Sequence, residues 1–291
     1  MPDTSQMVSS FPLFAAILSG FCFTLLGILL KRNTTATQSP FILPSWLALL
    51  FPVWCVLFIG TQATHTLTFN LSSSALIWPA IWAICTVSTT TILVWLLQSL
   101  SLTEVAGYKK ALLTLMASAA DIFIFHTAFP IITISALICL LCGSLLLGHA
   151  RHKLPNKKQA LALIAWCTIL TLQITAYKQG QMHQTAILSH TILAQSMSTF
   201  LYTLLWLTPS VRNTPFKLLP ALPLLAVAFT GVMIEGFAYA ALPLAVVILV
   251  TMSGAALFAI HDLYTRELPR TRRSYIALTA IAAGFLLLIF K

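Results

Sequence analysis

Apolar runs of about 20 residues recur along this chain, the length a helix needs to cross roughly 30 Å of hydrocarbon. They fall at 11–30, 43–61, 76–100, 105–126, 129–149, 159–178, 186–207, 218–237, 242–262 and 274–290. Backbone in hydrocarbon must satisfy its own hydrogen bonds, which leaves only helices and closed barrels. Barrel strands read as alternating segments of about 10 residues, and no such segments occur. Charged residues make up 8% of the 291, against about 25% in soluble domains. The expected fold is all-α integral membrane, with ten transmembrane helices. Met1 to Phe11 contains Asp3 but no Lys or Arg, so it lacks the basic start of a cleaved signal peptide. The first span is expected to stay.

A net charge of +10 in a soluble chain would point to nucleic acid. Here the cations sit in short loops, where they set orientation, and no nucleic-acid partner is expected. Loops after odd-numbered spans hold Lys31, Arg32, Arg151, Lys153, Lys157, Lys158, Arg212, Lys217, Arg266, Arg270, Arg272 and Arg273. The opposite side holds Lys178 and Lys291. The positive-inside rule puts the first set in the cytoplasm and both termini outside it. The expected location is the plasma membrane, or the inner membrane in bacteria. The six cysteines all fall in expected spans. Cys139-Leu-Leu-Cys142 lacks the βαβ context of a redox motif and reads as packing.

The polar loop 151–158 divides the spans five and five, giving repeats at 1–150 and 151–291. Their ends are faintly alike: a turn with Pro130 or Pro269 precedes a span closing on Gly143 or Gly284 and a leucine-rich end. Two halves of odd span number insert in opposite orientations. Such inverted repeats build secondary transporters whose substrate sites lie between the halves.

Two stretches carry a family resemblance. "QSLSLTEVAGYKKALLTLMASAADIFIF" looks like a junction of third and fourth spans, and "RELPRTRRSYIALTAIAAGFLLLI" like a last loop and tenth span. In order and spacing the chain resembles the drug/metabolite transporter superfamily, its EamA-type members in particular, over nearly its whole length. The resemblance implies two inverted five-helix repeats and transport of a small solute such as an amino acid, sugar phosphate, nucleoside or S-adenosylmethionine. It also implies cytoplasmic termini, where the charge count puts them outside.

Lys109 and Lys110 sit within a span, where charge is costly. Successive helical residues lie 100° apart, so the two cannot share a face. The stripe through Lys110 reads Thr103, Gly107, Lys110, Thr114, Ala117, Ser118, Asp121 and Phe125, mostly small and polar. Such a stripe faces a cavity or another helix. Lys110 lies roughly 8–9 Å into the span and Asp121 about 16 Å further, too far to pair. Lys110 is therefore expected to meet a negative group on a solute. Lys109 is expected to snorkel to the interface. Glu235 and Asp121 are the acids placed to bind an amine or carry a proton; the bland alternative for each is an interfacial acid held by backbone or water. Gln173, His190 and Gln195 are costly to leave unsatisfied and are candidates to line a cavity. Trp82 and Trp95 are candidate walls, with simple packing as the alternative. Hydroxyls at Thr86 to Thr91 are expected to bond their own i−4 carbonyls. The candidate substrate-binding set is thus Lys110, Thr114, Asp121, Gln173, His190, Gln195, Glu235, Trp82 and Trp95.

The expected function is secondary transport of an anionic or zwitterionic metabolite by alternating access, acting as monomer or homodimer among membrane lipids. Two alternatives stay open: an intramembrane enzyme acting on a lipid headgroup, and a non-transporting membrane subunit. Against an enzyme, the sequence has no H-E-x-x-H zinc motif and no G-x-S-x-G elbow. No metal, cofactor or catalytic residue is expected.

Overall fold

The computed structural model describes residues 10–34, 38–129, 131–148, 156–184, 186–214, 216–251 and 272–289. Among these the regular structure is entirely helical. Its elements are α1 (Ser10–Asn33), α2 (Ile42–Trp46), a 3₁₀ turn at Leu47–Leu50, α3 (Phe51–Ala63), α4 (Ser73–Leu97), α5 (Leu102–Phe123) and α6 (Ile131–Gly148). Then come α7 (Lys157–Met182), α8 (Ile187–Leu204), α9 (Pro209–Arg212), α10 (Leu218–Ala241), α11 (Leu244–Val250) and α12 (Arg272–Ile289). Every expected span falls on helix, the ninth only through α11, since 252–271 lie outside the described residues.

Five of these segments are long and apolar enough to cross a membrane: Phe11–Asn33, Ile42–Ala63, Ser73–Leu97, Lys157–Met182 and Leu218–Ala241. Their outward faces carry large apolar side chains such as Val56, Ile84, Leu161 and Leu219. Such a surface suits lipid and would be a liability in water.

Local chemistry explains the helix ends and breaks. Asn156 caps α7 by accepting from the Gln159 N–H at 2.9 Å, and the Gln159 side chain accepts from the Asn156 N–H at 2.9 Å. This reciprocal box satisfies two of the orphan donors at a helix start. In the second span, Pro52 has no N–H to offer the Ala48 carbonyl, and the chain tightens into the 3₁₀ turn Leu47–Leu50 just before it.

The long helices pack in pairs: α1 along α10, α4 along α7 and α8, α6 along α12, and α5 against α6, α7 and α11. Two apolar clusters fill the bundle. One gathers Leu30, Leu97, Val105, Trp166, Tyr202 and Leu224. The other gathers Ala16, Trp82, Leu113, Tyr177, Tyr239 and Ile248. A cavity lies where they meet, bordered by residues of both.

Small residues set the closest helix approaches. Gly20 of α1 lies against the backbone of Thr251: a Cβ there would stand 2.7 Å from the Thr251 Cα. Gly180 of α7 gives up its side chain to the ring of His190 on α8.

Candidate functional site

The cavity is built from helical stripes. On α5, Leu102, Val105, Lys109 and Leu113 recur at steps of three and four and all reach it. On α4 the stripe is Trp82, Thr86, Thr89 and Leu93, and on α7 it is Trp166, Leu170 and Gln173. α1 contributes Phe23 and α10 contributes Glu235. The space has two lobes, of about 180 and about 170 Å³. They share a wall of Phe23, Trp82, Leu93, Lys109, Trp166, Leu170, Gln173 and Glu235. The first lobe runs on toward Gly20, Tyr239, Ile248 and Thr251. The second runs toward Trp54, Gln195, Tyr202 and Phe229.

Two groups of opposite charge line that shared wall. The Lys109 ammonium sits over the Trp166 ring, 4.9 Å from its centroid, a cation–π contact of up to about 2 kcal/mol when desolvated. Glu235 acts on Lys109 through its charge, and its carboxylate hydrogen-bonds the Tyr239 hydroxyl. Gln173 holds its place by accepting from the Thr89 hydroxyl at 2.9 Å. The Tyr202 hydroxyl donates to Thr90 Oγ1 at 2.8 Å and to the Thr86 carbonyl at 3.3 Å. Among the described residues, the shared wall thus brings aromatic rings together with the Lys109 cation, the Glu235 carboxylate and the Gln173 amide.

Sequence reasoning is corrected at Lys109. Far from snorkelling to the interface, its side chain points into the bundle and lines both lobes. The physical reason is Trp166: an aromatic face on the neighbouring helix receives the ammonium that the interface would otherwise take. The backbone of Lys110 is helical, but its side chain, like that of Thr103, lies outside the described residues.

The other candidates divide. Trp82, Gln173 and Glu235 stand together in the shared wall, and Gln195 lines the second lobe. Thr114, Asp121, His190 and Trp95 do not line the cavity. Thr114 is buried in helix packing. Trp95 is 36% exposed on the outer face. His190 is wholly buried, edge-on to Tyr177 with ring centroids 4.7 Å apart.

Asp121 serves as a cap. Its two carboxylate oxygens accept the Leu244 N–H at 3.0 Å and the Ala245 N–H at 2.7 Å, at the start of α11. Beside it, the Lys178 ammonium donates to the Leu242 carbonyl at 3.1 Å and sits over the Phe125 ring. The turn between α10 and α11 is thereby pinned to α5 and α7.

Trp54, Trp166, Tyr202 and Thr89 went unrecognised in the sequence as site residues. Most of the threonine run does bond its own helix, Thr86 to Trp82 and Thr90 to Thr86, each at 2.8 Å. Thr89 also turns outward, to Gln173. The available signal was the stripe itself: Trp166, Leu170 and Gln173 share one face of α7.

No family model and no curated protein matches the chain. Among solved structures, one described only as the crystal structure of a protein aligns with a TM-score of 0.64. The alignment covers 95% of this chain and 97% of that one, at 16% identity. That likeness supports the course of the chain as a fold and says nothing of what it binds.

Proposed function

We propose that this chain is a secondary transporter of a small zwitterionic or anionic metabolite, working by alternating access in the manner of the EamA-type drug/metabolite transporters it resembles. The observation that carries the proposal is that Lys109 and Glu235 both line one aromatic-walled cavity inside a bundle of apolar helices. Isolated charges in such a place cost about 2.5–3.5 kcal/mol each, so they mark a pathway or a ligand. Lys109 would take a carboxylate or phosphate and Glu235 an amine. Gln173 and the aromatic rings would fix the solute between them.

Two inverted five-helix repeats suit this mechanism, and the packing supports them. In a five-plus-five arrangement α1 corresponds to α7, α4 to α10, α5 to α11 and α6 to α12. Exchanging the halves turns the α1–α10 packing into the α7–α4 packing. It returns the α5–α11 and α6–α12 pairs to themselves, and all four pairs are in contact. Rocking of the halves would open the cavity first to one side and then to the other. With the basic loops in the cytoplasm, both termini lie outside it.

The test is uptake by the purified chain reconstituted in liposomes, using radiolabelled amino acids, sugar phosphates and nucleosides. One zwitterionic or anionic solute should accumulate above protein-free vesicles, and Lys109→Met and Glu235→Gln should each cut its uptake at least tenfold. Uptake of no solute, or uptake indifferent to both changes, sinks the proposal.

A further inference from the structure

Two residues that line the second lobe carry buried donors with nothing to bond among the described residues. Trp54 is wholly buried and Gln195 is 6% exposed. Both line that lobe. Neither the indole Nε1 nor the amide Nε2 has a hydrogen-bond partner among the described residues. Buried N–H groups are almost always paired, because an unpaired one forfeits its hydration for nothing. The Ser198 hydroxyl approaches the Gln195 carbonyl oxygen at 3.4 Å, which leaves the amide as the free end. Aromatic side chains line the lobe around these two residues. The Trp54 ring lies against Phe229, with centroids 4.8 Å apart and planes 35° from parallel, and Trp82 lines the same space. Aromatic walls favour a flat guest, and two unpaired donors favour one with acceptors on its edge.

We infer that the second lobe is the subsite for a planar heteroaromatic ring with at least two acceptors, which take the Trp54 and Gln195 N–H groups. The inference rests on the transporter reading of the same cavity, because Lys109 and Glu235 in the shared wall hold the solute's charged end. The substrate class is then a zwitterion joined to a purine-like or pyrimidine-like ring. A phenyl ring fits the walls but leaves both donors unpaired, and a short amino acid leaves the lobe without a guest.

Four probes separate the two halves of this claim by binding to the purified full chain: methionine, phenylalanine, adenosine and S-adenosylhomocysteine. Methionine has the charged end alone, and phenylalanine adds a ring without acceptors. Adenosine has the ring alone, and S-adenosylhomocysteine has both. The expected result is that S-adenosylhomocysteine binds at least tenfold tighter than each of the others. Trp54→Phe, which keeps the aromatic face, and Gln195→Leu should each weaken it about tenfold. Unliganded melting temperatures check that both variants are folded. Equal binding of methionine or phenylalanine and S-adenosylhomocysteine overturns the ring subsite and leaves the zwitterion reading standing. Adenosine binding equal to S-adenosylhomocysteine, and weakened by Trp54→Phe, supports the ring subsite while removing the charged-end reading. Binding of none of the four overturns both.

Discussion

Asp121→Asn probes the cap that ties α5 to α11. The carboxylate accepts two backbone N–H groups, at 3.0 and 2.7 Å, and is wholly buried. A hydrogen bond to a charged acceptor contributes about 1.5–3 kcal/mol, so the pair is worth roughly 3–6. Both N–H groups belong to the first turn of a helix, which adds attraction for a negative charge. Asparagine is nearly the same size. It keeps one acceptor oxygen, giving a neutral bond of about 1 kcal/mol, and turns an NH₂ toward the second N–H. The expected loss is about 2–5 kcal/mol, a fall of roughly 5–15 °C in melting temperature by the scaling for chains of this size. Thermal unfolding in detergent, followed by intrinsic fluorescence, measures it. Because Asp121 stands off the cavity, ligand affinity in the surviving folded protein should stay within twofold of wild type. A melting temperature unchanged within 1 °C would refute the cap. A selective loss of ligand binding with stability intact would return Asp121 to the site.

Three further outcomes follow from the packing. Gly180→Ala drives a methyl into the buried His190 ring and should cost about 1–3 kcal/mol by overpacking; a Gly180→Ala/His190→Ala double variant should recover most of it, measured as melting temperature in a double-mutant cycle. His190→Leu should hold or raise stability by about 1 kcal/mol, because both ring nitrogens are buried with no partner among the described residues, and a clear fall in melting temperature would show that a polar partner is needed there. Gly20→Ala sets a Cβ 2.7 Å from the Thr251 Cα, backbone against helix, so it should lower the melting temperature by several degrees and cut transport more than Gly60→Ala, which meets nothing within 4 Å.

Much of the helical layout was legible because lipid imposes it. Hydrocarbon thickness sets segment length and the lack of water forbids strands with free edges, so hydropathy alone located the helices. The site was only partly legible. On α5, polarity was taken as the mark of the cavity face, which picked the stripe through Thr114 and Asp121. At Thr114, Ala117 and Asp121 that stripe is buried, and Asp121 caps α11. The cavity face lies one residue round, at Leu102, Val105, Lys109 and Leu113, and apart from its lysine it is apolar. A pocket walled by aromatic and aliphatic groups looks, in one dimension, like any lipid-facing stripe. What separates Lys109 from an interfacial anchor is Trp166, 57 positions later in sequence, and no local pattern reports that contact. Glu235, Gln173 and Gln195 were legible because a large polar side chain inside a span must find partners wherever it points. The same logic pointed at His190, which instead fills the hollow above Gly180.

The central claim is that Lys109, acting with Glu235, holds the solute. The most direct measurement is ligand-induced thermal stabilisation of wild type, Lys109→Met, Lys110→Met and Glu235→Gln with the solute that the liposomes accumulate. Saturation at a hundredfold excess over Kd stabilises by about 2.7 kcal/mol. The account predicts that stabilisation in wild type and its loss in both Lys109→Met and Glu235→Gln. Full stabilisation of Lys109→Met would contradict it, and loss in Lys110→Met alone would move the site to the neighbouring face of α5.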